Sequence, residues 1–208
     1  LLRIAAAIAD AYASLHEAGV VHADVHPGNV LVAPEGVRLV DFGLARITSN
    51  GAQEHAPRGA APTFQDPQHA AASRSGHRPG QASFASDQYA LGALLYELLT
   101  GSPYLDFSVE TDEMLRQIVE DEPLTFARRG RRPWPEVEAL LTRALAKDPS
   151  ERLASTRELA KGLSAVAPPP SPTRARPQGL ETILESVLTK VRPGGEWFDE
   201  GLPSHAPR

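Results

Sequence analysis

The chain contains no cysteine in 208 residues, which excludes disulfides and thiolate zinc sites and makes a reducing compartment its natural setting. Its only methionine is Met114 and it begins at Leu1, which points to a fragment or a mis-started reading frame. Lysine is confined to Lys147, Lys161 and Lys190 against eighteen arginines, and asparagine to Asn29 and Asn50. With abundant Ala and Pro, this is the usage of a GC-rich bacterial coding sequence. No stretch reaches the roughly 18 uncharged apolar residues of a membrane span; the best run, Tyr89 to Leu99, is interrupted by Glu97 and preceded by Asp87. The N-terminal apolar stretch lacks the basic start and cleavage site of a signal peptide. A net charge of −5 argues against a nucleic-acid partner. The expectation is a cytoplasmic protein with neither a membrane nor a nucleic acid among its partners.

What is present is ordinary globular material, 41% hydrophobic and 23% charged, enough for one core plus a tail. Ile4, Ile8, Ala11, Tyr12 and Leu15 recur with helical spacing, and Gly19 supplies an end. Val30-Leu31-Val32 and Val37-Arg38-Leu39-Val40 flank a short turn and predict a β-hairpin. Residues 44–86 show no sustained periodicity and read as a long loop. Tyr89 to Thr100 is apolar nearly all round, as a helix in the middle of a core would be, and Gly101 ends it. Further helices are predicted at about 111–121, 134–146 and 155–166, the last opened by a Ser155-x-x-Glu158 capping box. The run Pro168-Pro169-Pro170-Ser171-Pro172 then marks a linker over 167–179. An amphipathic helix follows at 180–192 and a flexible tail at 193–208. The arginines at 128, 129, 131 and 132 read as a solvated interhelix loop in this acidic chain, and Trp134 and Trp197 as packing residues.

The most specific signal is His22-Ala23-Asp24-Val25-His26-Pro27-Gly28-Asn29, followed twelve residues past Asn29 by Asp41-Phe42-Gly43. The hairpin holds Asn29 at one end and Asp41 at the other, so both oxygen-bearing side chains reach one edge. A carboxylate, a carboxamide five residues on and a second carboxylate beyond a strand pair are what metal-assisted phosphoryl transfer requires. One group orients the nucleophile's proton and two more hold magnesium against nucleotide phosphates.

This pattern resembles the catalytic and metal-binding loops of the protein kinase superfamily. The resemblance covers about residues 1–166 and implies a mainly α fold: a kinase C-terminal lobe, a helical bundle with a small catalytic-loop hairpin. By it, Asp24 is the base, Asn29 and Asp41 are magnesium ligands, and ATP and Mg are the cofactors. His22, Phe42 and Gly43 are structural, and Asp87, opening the Tyr89–Thr100 helix, anchors the catalytic loop through backbone N–H groups. Arg152, within Lys147-Asp148-Pro149-Ser150-Glu151-Arg152, matches the Arg that pairs with the Glu closing the activation segment. Here that segment ends Phe64-Gln65-Asp66-Pro67-Gln68, and Gln68 stands in place of the Glu.

Other departures from the family narrow the reading. Ala23 replaces the Arg that docks a phosphorylated activation loop, so phosphorylation at Thr48, Ser49 or Thr63 is a poor on-switch. His26 replaces the Lys near the transferred phosphate, and Ala61 a substrate-facing Thr. No Gly-rich loop and no Lys precede Lys147, so the N-terminal lobe that grips ATP is expected to be missing, and these residues alone to be inactive. The leading expectation is a fragment of a bacterial Ser/Thr protein kinase acting on a protein or peptide hydroxyl. Its His-Ala-Asp form is similar to the kinase portions of lanthipeptide synthetases. A pseudokinase-like binding module and a small-molecule kinase are the alternatives.

Overall fold

The computed structural model describes residues 1–48 and 61–167. The predicted linker beyond Ala167, the helix at 180–192, the tail at 193–208, Trp197 and Ser49 lie outside them. Small and aliphatic residues at helical spacing fold Leu2–Glu17 into α1, which buries Ala5, Ile8, Ala9, Tyr12 and Ala13. Gly19 follows at φ +77°, a conformation that costs glycine nothing, and β1 (Val20–Val21) leads into the 22–29 loop. The hairpin is β2 (Val30–Ala33) against β3 (Gly36–Leu39), antiparallel, with Val30 opposite Leu39 and Ala33 opposite Gly36. A second small pair joins β1 to β4 (Arg46–Ile47).

The region predicted as structureless loop contains an ordered helix. Asp66 at its N-cap accepts from the amides of Gln68 and His69, Pro67 fills the first helical position, and α2 runs Pro67–Arg74. Asp followed by Pro is a start signal that hydrophobic periodicity misses, because an eight-residue helix burying only Pro67 and Ala70 has no stripe to detect.

The long core helix, α3, spans Phe84–Thr100 and starts five residues earlier than its apolar run. Ser83 and Ser86 cap it reciprocally: the Ser83 hydroxyl accepts from the Ser86 amide at 3.1 Å, and the Ser86 hydroxyl from the Ser83 amide at 2.7 Å. Gly101 closes it at φ +79°. Then come α4 (Thr111–Glu120), α5 (Pro135–Ala144) and α6 (Thr156–Val166). Ser155 caps α6 as predicted, but Glu158 reaches back to the amide of Ala154 at 3.0 Å, one residue beyond the expected capping box.

Helix α3 is the axis of the core. Tyr89, Leu91 and Leu95 are fully buried, and α1, α5 with its C-cap Leu145, and α6 supply Tyr12, Leu141, Leu145, Leu159 and Leu163 around it. Each such side chain contributes about 1.5–3 kcal/mol. Ala70 of α2 joins Leu115 and Ile118 of α4 in a separate cluster. Arg128, Arg131 and Arg132 of the arginine loop are exposed, as expected. Arg129 is nearly buried against Asp106, and Arg131 Nε donates to the Thr100 carbonyl at 2.7 Å, sealing the end of α3. Among the described residues no helix is long and apolar enough to cross a membrane.

Two tests follow from this packing. A Cβ at Gly92 of α3 would lie 3.0 Å from Ala144 Cβ and 3.2 Å from Leu145 Cγ. Gly92→Val should therefore cost about 1–3 kcal/mol by overpacking, read from urea denaturation. Lys147 donates to the Ile118 carbonyl at 2.8 Å, and burial pushes its ammonium down to about 8 from 10.5. Below pH 8 the amine is charged in both folded and unfolded chains, and folding buries that charge. Between pH 8 and 10.5 only the unfolded chain keeps the proton, so stability rises with pH there. Relative to Lys147→Met, urea midpoints of the parent chain should climb across that window.

Candidate active site

The 22–29 loop is built around one buried carboxylate. Asp87, 3% exposed in the first turn of α3, accepts from the His22 amide at 2.7 Å and from the Ala23 amide at 3.0 Å. Those bonds hold Ala23 at φ +66°, a left-handed conformation that an Ala side chain disfavours. The loop is thereby turned so that Asp24 faces the hairpin edge.

Asp24 is tied to Asn29. The Asn29 carboxamide donates to the Asp24 carbonyl at 2.9 Å and to Asp24 Oδ2 at 3.1 Å. Asp24 Oδ1 receives no protein hydrogen bond among the described residues, and the side chain is 17% exposed. Asn29 closes a 3-10 turn, Pro27–Asn29, and its backbone carbonyl accepts from the Val40 amide at 3.1 Å. That bond extends the hairpin by one step and brings Asp41 to the edge beside Asn29. Asp41 itself is exposed, at φ +59°, with Oδ1 accepting from the Gly43 amide at 3.3 Å. A Cβ on Gly43 would stand 3.2 Å from that oxygen, so glycine keeps the turn open.

His22 is fully buried behind the loop. Its Nε2 donates to the Val40 carbonyl at 3.2 Å, and its ring lies between those of Tyr12 and Phe42, at 5.7 and 5.1 Å. Phe42 packs on it with one face and remains 48% exposed. His26 does not stand free at the edge. Its Nδ1 accepts from the Gly28 amide at 3.1 Å, which places the ring proton on Nε2, 3.5 Å from Asp24 Oδ2. A Cβ at Gly28 would meet that ring at 2.8 Å.

Arg152 and Gln68 also meet. Arg152 Nη2 donates to Gln68 Oε1 at 2.9 Å, and Gln68 Nε2 donates to the Lys147 carbonyl at 2.8 Å. Asp24, Asn29, Asp41, His22, His26, Phe42, Gly43 and Asp87 thus gather around the loop and hairpin, whereas Gln68 and Arg152 form a second centre at the start of α2.

Against known sequences, the protein kinase domain family matches residues 1–162. The chain belongs to the protein kinase family. It is 32% identical over 177 residues to serine/threonine-protein kinase pkn3 of Myxococcus xanthus, covering 80% of this chain and 31% of that protein. It is 32% identical over 166 residues to the serine/threonine-protein kinase PknB of Mycolicibacterium smegmatis, covering 76% and 25%. To PknB of Mycobacterium tuberculosis H37Rv it is 30% identical over 191 residues, covering 86% and 29%. The chain therefore spans less than a third of the length of these relatives.

One residue that supports this kinase loop has no motif to announce it. His16, near the end of α1, sets Nε2 3.1 Å from Asp87 Oδ2 and Nδ1 2.8 Å from Thr156 Oγ1 of α6. It closes a relay from α6 through α1 to the carboxylate that holds the loop. Its partners lie 71 and 140 residues away, so helical periodicity alone cannot flag it. Asp87→Ala would leave two buried amides and His16 without their acceptor. The substitution should lower stability by about 2–5 kcal/mol, measured by urea denaturation, and expose the Ala23 amide to hydrogen exchange.

Proposed function

We propose that these residues form the C-terminal lobe of the kinase domain of an ATP- and magnesium-dependent Ser/Thr protein kinase that phosphorylates a hydroxyl on a protein or peptide. The observation that carries the reading is the Asn29 carboxamide bound to Asp24 on a loop whose hairpin delivers Asp41 to the same edge. The names of the relatives favour a polypeptide substrate over a metabolite and add nothing to the lanthipeptide variant.

The donor set fits magnesium. Because Asn29 spends its N–H groups on Asp24, its carbonyl oxygen is left for a ligand, and Asp41 offers Oδ2. Two hard oxygens at one edge, in a chain without a thiolate, are the kind of ligand a hard divalent cation takes. When bound, the metal neutralises phosphate charge. The chain's own residues do the rest. Asp24 presents Oδ1 to the substrate hydroxyl and accepts its proton as the oxygen attacks the γ-phosphorus and the bond to the departing ADP breaks. Asn29 fixes the other carboxylate oxygen, so the base cannot rotate away. His26, through the Gly28 amide, stiffens the turn that carries Asn29. His22 packs behind the loop, and Asp87 holds it.

In this reading the cation that pairs with the nucleotide phosphates comes from residues outside the chain, since no Lys precedes Lys147. The alternative reading is a pseudokinase-like binding module. The DNA upstream of the Leu1 codon separates them: a Gly-rich turn and a strand-borne Lys support the kinase, and a stop codon the module. In the full-length gene product Asp24→Ala should slow phosphoryl transfer from ATP to a Ser/Thr peptide about 10²–10⁴-fold with little change in nucleotide affinity. Equal rates in the mutant and parent would show that Asp24 is not the base.

A further inference from the structure

Arg152 is a buried cation whose usual family partner is absent. It is 4% exposed and stacks 5.0 Å from the centre of the Tyr89 ring. The acceptors of its hydrogen bonds are neutral: the carbonyls of Ala146 at 2.9 Å, Ala85 at 2.7 Å and Lys147 at 3.3 Å, and the Gln68 amide oxygen at 2.9 Å. Neutral dipoles solvate a guanidinium but do not balance its charge, and an unbalanced buried cation is strongly destabilising. Lys147, which also lies over the Tyr89 ring at 5.9 Å, adds a second cation.

A carboxylate is present two residues before Gln68. Asp66 is 3% exposed. Its Oδ1 caps α2 by accepting from Gln68 and His69 at 3.1 Å each, so the Asp66 side chain sits against the backbone of the residue whose side chain touches Arg152. Burial pushes the Arg152 guanidinium below its ordinary value, and among the surrounding charges Asp66 opposes that most, ahead of Asp148. Asp66 also acts on Tyr89, whose ring Arg152 covers. Asp66 also lines a small cleft with Phe64 and Gln65 of the segment, Ala23 and Val25 of the 22–29 loop, and Asp87.

We propose that Asp66 is the counter-ion of Arg152, standing two residues before the position that Gln68 fills, and that the two charges, linked through Gln68 (its backbone amide on Asp66, its side-chain oxygen on Arg152) and not in direct contact, hold the end of the substrate-facing segment against the catalytic loop. Asp66 is then a positioning residue, joining the cap of α2 to the charge that Arg152 brings into the core. Gln68 relays between them, and its donated bond to the Lys147 carbonyl keeps the bridge in register.

The test moves the charge back. Asn caps helices as well as Asp, so Asp66→Asn removes the charge and keeps the cap. Thermal unfolding of the 208-residue chain should show Asp66→Asn melting about 5–10 °C below the parent. Adding Gln68→Glu, which sets a carboxylate on Arg152, should restore more than half of that loss, while in the parent background the same change should give a smaller gain or none. Chymotrypsin cleavage after buried Phe64, well below the midpoint, should rise in Asp66→Asn and fall again in the double variant. If Asp66→Asn does not fold, recovery of a folded chain on adding Gln68→Glu is the expected result. An Asp66→Asn variant as stable as the parent overturns the proposal, as does a Gln68→Glu effect that is the same in both backgrounds. Neither readout needs nucleotide or catalysis, so this inference and the kinase reading fail independently.

Discussion

A carboxylate can remain in a protein interior only where donors replace the water it loses, and Asp87 has three: the amides of His22 and Ala23 and the imidazole of His16. The rest of the site depends on that exchange. The two amide bonds turn the chain at Ala23 through a left-handed conformation and so aim Asp24. Because Asp87 belongs to the most buried helix of the fold, the loop inherits that helix's rigidity. His16 and Thr156 extend the anchorage to α6, and Arg157 on α6 adds a fork of two 2.8 Å bonds to Glu17 at the end of α1. Packing, capping and loop geometry are thus one connected arrangement.

Left-handed residues flank the edge that carries Asp24 and Asn29 on both sides, Ala23 before Asp24 and Asp41 before Phe42. Such conformations persist where surrounding bonds over-determine them. Around Ala23 the bonds come from Asp87, and after Asp41 from its own Oδ1 to Gly43. Asp24, the proposed base, stays partly open, as a group that must meet a substrate would, while Asn29 and Asp87 are closed to water.

How much could be read from the chain varies with how local each signal is. Helices α1, α3, α4, α5 and α6 and the β2–β3 hairpin were legible because their apolar spacing or turn residues sit within a few positions of one another. The order and spacing of Asp24, Asn29 and Asp41 carried the family assignment for the same reason. Helix α2 was hidden because its start is written in Asp66-Pro67 and not in periodicity. Arg129 was assigned to solvent with the rest of its loop, since nothing near it in sequence shows that Asp106 would receive it. His16 and Asp66 were invisible as site residues. Each looks like an ordinary helix-end residue until partners far along the chain are brought to it.

The central claim is that the edge shared by Asn29 and Asp41 holds a divalent cation beside Asp24. Paramagnetic line broadening by Mn²⁺, with a non-hydrolysable ATP analogue, measures this directly on amide resonances assigned in the 208-residue chain. The account predicts that substoichiometric Mn²⁺ first broadens Asn29, Asp41 and Phe42 together with Asp24, and that Asp41→Asn weakens the effect. Broadening confined to the acidic surface of α4, around Asp112, Glu113 and Glu120, would contradict it.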